Sequence, residues 1–115
     1  MIDNKSIKTM QAGLDALWLK QQVHSNNIAN SETAGFKAGE VSFKTRLDQA
    51  KQQIESIQVQ VKQNQGLSNR LDGNNVDLEK EQLALWETYA QYNYVTQSLN
   101  KQLNNLRYVI NNTWK

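Results

Sequence analysis

Residues 77–112 read DLEKEQLALWETYAQYNYVTQSLNKQLNNLRYVINN. Set on a heptad, Leu85, Tyr92, Leu99 and Leu106 fall on one seam position, and Tyr89, Thr96, Leu103 and Ile110 fall on the other. The 4-3-4-3 spacing persists for more than three heptads with no proline or glycine, which predicts one long amphipathic helix. At 1.5 Å per residue such a helix is about 50 Å long. The rest of the chain is too short to cover a rod of that length. Its seam therefore calls for the chain's other helix and for neighbouring copies.

A matching run lies at the other end of the chain. Ile7, Met10, Leu14, Leu17, Gln21, His24 and Ile28 are spaced 3-4-3-4-3-4, which predicts a helix from Lys5 to about Asn30. Asp3 or Asn4 suits its start, and Asn30-Ser31 with Gly35 suits its stop. Gly13 inside it costs about 1 kcal/mol relative to alanine, which points to close backbone approach at that level. Pairing the two terminal helices buries both stripes. The long connection leaves open whether they pair only within one subunit or also interleave between subunits.

The connecting stretch thins out in apolar residues and holds Gly35, Gly39, Gly66 and Gly73. Phe43, Leu47, Ala50, Ile54 and Ile57 keep a 4-3-4-3 spacing, which predicts a short helix from about Ser42 to Ser56. Ile57, Val59 and Val61 then alternate with Gln58, Gln60 and Lys62, which predicts a strand or extended arm. The two readings collide at Ile57. With little surface to bury, this region is expected to order in an assembly. The expected organisation is one elongated domain: residues 1–30 as the first helix, 31–76 as the connection and 77–115 as the long helix. The fold class expected is all-α, with the terminal helices packed as a coiled-coil-like pair.

Composition agrees with a thin molecule. The 115 residues are 38% hydrophobic and the mean hydropathy is −0.75, too polar for a large private core. Thirteen basic and 11 acidic side chains are scattered to a net charge of +2, so nucleic acid is not an expected partner. Asparagine and glutamine each occur 14 times; the amides serve either polar contacts in an assembly or a compositional bias. The chain has no cysteine and one histidine, so no metal centre or cofactor is expected. His24 reads as a polar seam residue that fixes packing register, and no nucleophile and base pair suggests an enzyme or a small-molecule substrate. The N-terminus lacks an apolar core of the Sec type, and no run of about 18 apolar residues occurs. Among the large rings, Trp86 flanks the seam at Leu85 and is the preferred interface anchor, with Trp18 and Trp114 as further candidates.

The turn before the long helix reads Asp72-Gly73-Asn74-Asn75-Val76-Asp77. Asp-Gly and the two asparagines are turn formers, and Asp77 suits the N-cap. Calcium ligation by Asp72, Asn74 and Asp77 lacks the EF-hand spacing and closing glutamate. Glu79 and Glu81 follow in the first turns, with Lys101, Arg107 and Lys115 toward the far end, as the helix dipole favours.

Residues 26–37, NNIANSETAGFK, resemble the N-terminal signature of bacterial flagellar rod and hook proteins, usually N-N-I-A-N-x-x-T-P-G-Y-K. Asn27, Asn30, Thr33 and Gly35 match it; Phe36 stands where tyrosine is commoner and Ala34 where proline is usual, which predicts a less stiff turn. The Asp72–Asp77 loop with its long helix is similar to the proximal-rod members of that family. The resemblance implies a non-enzymatic structural subunit of the flagellar basal body, carried by the type III export apparatus and polymerising in the periplasmic space through its terminal helices. Its partners would be itself, other rod proteins, the rod-gate adaptor and the export gate. A dimeric coiled-coil adaptor is the alternative reading of the same seams.

Overall fold

The computed structural model describes residues 4–48, 53–66 and 70–113. Its elements run α1 (Asn4–Ala29), β1 (Gly39–Asp48), β2 (Gln53–Gln63) and α2 (Leu78–Thr113). At 36 residues, α2 spans about 54 Å, and it sets the long axis of a molecule measuring 70 × 29 × 14 Å. No helix among the described residues is long and apolar enough to cross a membrane.

The helices are antiparallel. His24 meets Glu81 at one end, the rings of Trp18 and Tyr92 lie 6.4 Å apart in the middle, and Gln102 reaches Ser6 near the start of α1. The covered positions of α2 are Glu81, Ala84, Leu85, Thr88, Tyr92, Val95, Thr96, Ser98, Leu99 and Gln102. One track is the one read from the sequence: Leu85, Tyr92 and Leu99. On the other, Thr96 is half-buried as read, while Thr88, Val95 and Gln102, one residue earlier in each heptad, are covered as well. Thr88 is fully buried and its hydroxyl donates to the Ala84 carbonyl at 2.7 Å, so a small, internally satisfied side chain occupies the close contact. Tyr89, too bulky for that place, is exposed. On α1, Ala16 and Leu17 are buried, and Ile7, Met10, Leu14 and Ile28 are half-buried.

The short helix expected over 42–56 is replaced by a β-hairpin, so the architecture is mostly helical with a two-stranded antiparallel sheet between the helices. Val41 pairs with Val61 and Phe43 with Val59, while Glu40 faces Lys62 and Ser42 faces Gln60. This two-residue alternation gives the hairpin one apolar and one polar face. The register slips by one between Arg46 and Leu47, so that Thr45 pairs with Ile57 and Leu47 with Ile54. That bulge puts positions 54 and 57, three apart, into the same alternation. A spacing of three reads as helical in sequence, which is how the strand pair was disguised. Ala50, which completed the helical pattern, lies outside the described residues.

Among the described residues the hairpin lies on α1, and its main chain does not come close to that of α2. Lys20 Nζ stands 5.7 Å from the centre of the Phe43 ring, a cation–π contact. At Gly13, a Cβ would meet only Ile57 Cδ1 at 3.9 Å, an ordinary contact, so no close backbone approach requires glycine there. Gly13→Ala is accordingly expected to stabilise the isolated subunit by about 1 kcal/mol through helix propensity, visible as a raised urea midpoint.

Candidate functional site at the helix–hairpin junction

The signature segment after α1 and the loop before α2 fold into each other. Helix α1 ends at Ala29 because Asn30 turns back on it: its Nδ2 donates to the Asn26 carbonyl at 2.8 Å, and Thr33 Oγ1 donates to Asn30 Oδ1 at 3.1 Å. Gly35 and Gly73 take positive φ of 72° and 80°, a region that side chains disfavour. A Cβ on Gly73 would sit 3.6 Å from Gly35 Cα, so the two turns touch back to back. Main-chain bonds stitch them, Gly35 N to Asp72 O at 2.7 Å and Asn75 N to Phe36 O at 3.2 Å.

Three asparagines carry the rest. Asn27, fully buried, grips the main chain of Gly39 with both ends of its amide: Nδ2 donates to the Gly39 carbonyl at 2.9 Å and Oδ1 accepts from Gly39 N at 2.8 Å. Asn74, 1% exposed, donates to the carbonyls of Asn30 and Thr33, both at 2.8 Å, and accepts from Val76 N at 2.8 Å. Asn75 accepts from Ala38 N at 2.7 Å and donates to the Asn64 carbonyl at 2.8 Å. A primary amide both donates and accepts in a single plane, so these residues satisfy main chain where no sheet or helix can. Together they join the end of α1, both ends of the hairpin and the start of α2.

Charged groups close the periphery. Lys37 Nζ donates to the Gly73 carbonyl at 2.6 Å, and Arg70 donates to the Ser31 carbonyl and to Asp72. Asp77 caps α2: its Oδ1 accepts from Lys80 N at 3.2 Å, and Glu79 and Glu81 stand in the first turn. The last turn of α2 carries no basic residue; Lys101 and Arg107 lie earlier in the helix, and Lys115 lies outside the described residues. His24 Nδ1 lies 2.6 Å from Glu81 Oε2, with both side chains mostly buried. This tie across the helices is a pairing the sequence spacing did not reveal. The lining of a cavity of about 270 Å³ beside it includes Lys20 and Lys80 as well as Glu40, Asp77 and Glu81, so opposite charges offset one another there. No group among the described residues is arranged to hold a metal ion.

The structure thus gathers Asn27, Asn30, Thr33, Gly35 and Phe36 with Asp72, Gly73, Asn74, Asn75 and Asp77 into one junction. The sequence showed the asparagines as turn formers. Their work as buried clamps escaped it, although each asparagine pair sits where a helix meets a loop. The seam residues at the far end of α2 are not gathered: Leu103, Leu106, Val109 and Ile110 are exposed. Trp86 is exposed as well, and Trp114 lies outside the described residues.

Residues 7–37 match the family described as flagella basal body rod protein. The chain is similar to the flagellar basal body rod protein FlgB of Bacillus subtilis (strain 168), 29% identical over 119 residues, covering 91% of this chain and 92% of that protein. It is also similar to FlgB of Borreliella burgdorferi (strain ATCC 35210 / DSM 4680 / CIP 102532 / B31), 30% identical over 115 residues, covering 80% of this chain and 85% of that protein.

Proposed function

The chain belongs to the FlgB family of flagellar basal body rod proteins, and from that premise we propose that it builds the proximal part of the rod through its two terminal helices. Membership makes it a structural subunit of the basal-body rod, acting in flagellar motility and assembling with other rod components. The finer reading rests on its shape. One observation carries it: α2 runs about seven turns under cover of α1 and then continues past Gln102 with Leu103, Leu106, Val109 and Ile110 uncovered among the described residues. A monomer has no use for that unfinished stripe; a polymer of like subunits does.

In this reading the terminal helices pack in coiled-coil fashion, within and between subunits, along Ile7, Met10, Leu14, Leu17 and Ile28 on α1 and Leu85, Tyr89, Tyr92, Leu99, Leu103, Leu106 and Ile110 on α2. Exposed aromatics such as Trp86 anchor neighbours. The asparagine junction fixes the angle at which the helices and hairpin leave it, and so the geometry of the lattice. The work is assembly and not catalysis. The subunit is exported through the flagellar type III apparatus without a Sec signal and assembles in the periplasmic space beside the rod-gate adaptor and export gate. A dimeric adaptor would share the seams but not the family.

Deleting the gene is expected to abolish motility and to leave basal bodies with a membrane ring but no rod, hook or filament. Complete rods in the deletion strain would end the proposal.

A further inference from the structure

Beside α1 lies an open apolar groove of about 520 Å³, with Gly13, Ala16 and Leu17 as its floor, Phe43 and Ile57 of the hairpin on one side and Tyr94 of α2 on the other. We infer that the last three turns of α2 from a second copy seat in this groove on the α1 floor, in a head-to-tail contact that repeats from copy to copy. This rests on the rod-subunit reading and names the partner surface for it.

Continuity with the helix pair is the first argument. The covered tracks of α2 continue at seven-residue steps, from Leu85, Tyr92 and Leu99 to Leu106, and from Thr88, Val95 and Gln102 to Val109. As far as Gln102 their partner is α1 of the same chain. The same stripe beyond that point is suited to the same partner, an α1 surface from another copy. The groove floor is such a surface, and Gly13 and Ala16 are small enough for a helix to approach closely.

Chemistry and size agree. Floor and stripe are both apolar, so docking strips water from no buried charge; Arg107 lies off the stripe and can stay solvated. Eleven helical residues are about 16 Å long and about 10 Å across, and with Ala16 and Leu17 of the floor already buried one such seat covers far less than the ~800 Å² per partner of a stable pairwise complex. A single contact does not hold a dimer. Each copy both gives a stripe and offers a groove, so the contact is heterologous and propagates.

The chain contains no cysteine, which permits a direct test. Tyr94→Cys on the groove wall and Val109→Cys on the stripe, both at exposed positions, are introduced singly and together. The double variant is treated with a short bis-maleimide, as concentrated purified protein and within isolated basal bodies. A ladder of dimers, trimers and higher species is expected from the double variant alone. Products that stop at two would mean reciprocal seating, and linkage of position 109 to a different rod protein would mean another occupant; either overturns the inference, as does absence of linkage in basal bodies that contain the variant. In parallel, Val109→Asp is expected to leave the subunit's urea unfolding unchanged and to lower its incorporation into basal bodies at least tenfold; incorporation at the unaltered level overturns the contact. If the unaltered chain were missing from basal bodies, the rod reading would fail, while the ladder in purified protein would still decide the contact.

Discussion

Asn74→Asp is expected to destabilise the subunit by about 3 kcal/mol or more at neutral pH, although it exchanges a single heavy atom, nitrogen for oxygen, and keeps the side chain's shape. The Asn74 amide nitrogen donates to the carbonyls of Asn30 and Thr33, and a carboxylate oxygen in its place faces two acceptors. Each buried group left unsatisfied costs roughly 1–3 kcal/mol, and a charge costs more. The acceptor role toward Val76 N survives in the aspartate, so the loss isolates the two donated bonds. The pH dependence has a definite sign. Burial beside carbonyls holds an introduced carboxyl above its unfolded pKa, so the folded variant binds the proton more tightly than the unfolded chain. Stability is then fully present below the unfolded value of about 3.9 and is lost as pH rises from there through the raised folded value, and the deficit against Asn74→Ala shrinks in acid. Urea unfolding of both variants at pH 4 and pH 7 makes the comparison, with the alanine variant correcting for other titrations. Equal stability of Asn74→Asp and the unaltered chain at pH 7 would remove the clamp from the account.

Much of this fold was legible because a heptad declares itself at any length. Both terminal helices and one track of their contact follow from the spacing of leucines and tyrosines. On the second track Thr96 is covered, but one heptad earlier hydrophobicity favoured Tyr89, whereas packing chose Thr88, whose hydroxyl is satisfied within its own helix. The second strand showed in part, as the alternation of Ile57, Val59 and Val61 that read as a strand or extended arm; the first was hidden by a bulge that gives strand residues a helical spacing, and only pairing, a long-range property, removes the ambiguity. The junction was half legible. Its turn chemistry is local and was read; the reach of Asn74 to Asn30 and Thr33, and of Asn75 to Ala38 and Asn64, spans up to 44 residues and leaves no periodic trace. The signature resemblance pointed to those residues without saying what they hold.

Asn27→Ala is expected to loosen the hairpin while sparing the helices. A two-stranded hairpin is marginal alone, and among the described residues the main chain of this one lies close to α1 and not to α2. Its root is held by the two bonds between Asn27 and Gly39 and by Asn75 on Ala38 and Asn64. Gly39 is packed so closely that a Cβ there would come within 3.1 Å of Val23 Cγ1, so the lost amide cannot be replaced by the hairpin settling inward. Removing the clamp leaves a half-buried N–H and carbonyl unpaired, about 2–3 kcal/mol by the usual cost, which is roughly a hundredfold in the opening equilibrium. Amide exchange over residues 39–63 is therefore expected to quicken about a hundredfold, with exchange in the middle of α2 and the far-ultraviolet helical signal little changed. Exchange within threefold of the unaltered chain would show that α1 packing alone seats the hairpin. Since Phe43 and Ile57 form one wall of the α1 groove, a loosened hairpin also widens that groove. The variant should then swarm poorly despite intact helices, and Gly39→Ala, which crowds the same root from the other side, should share both effects.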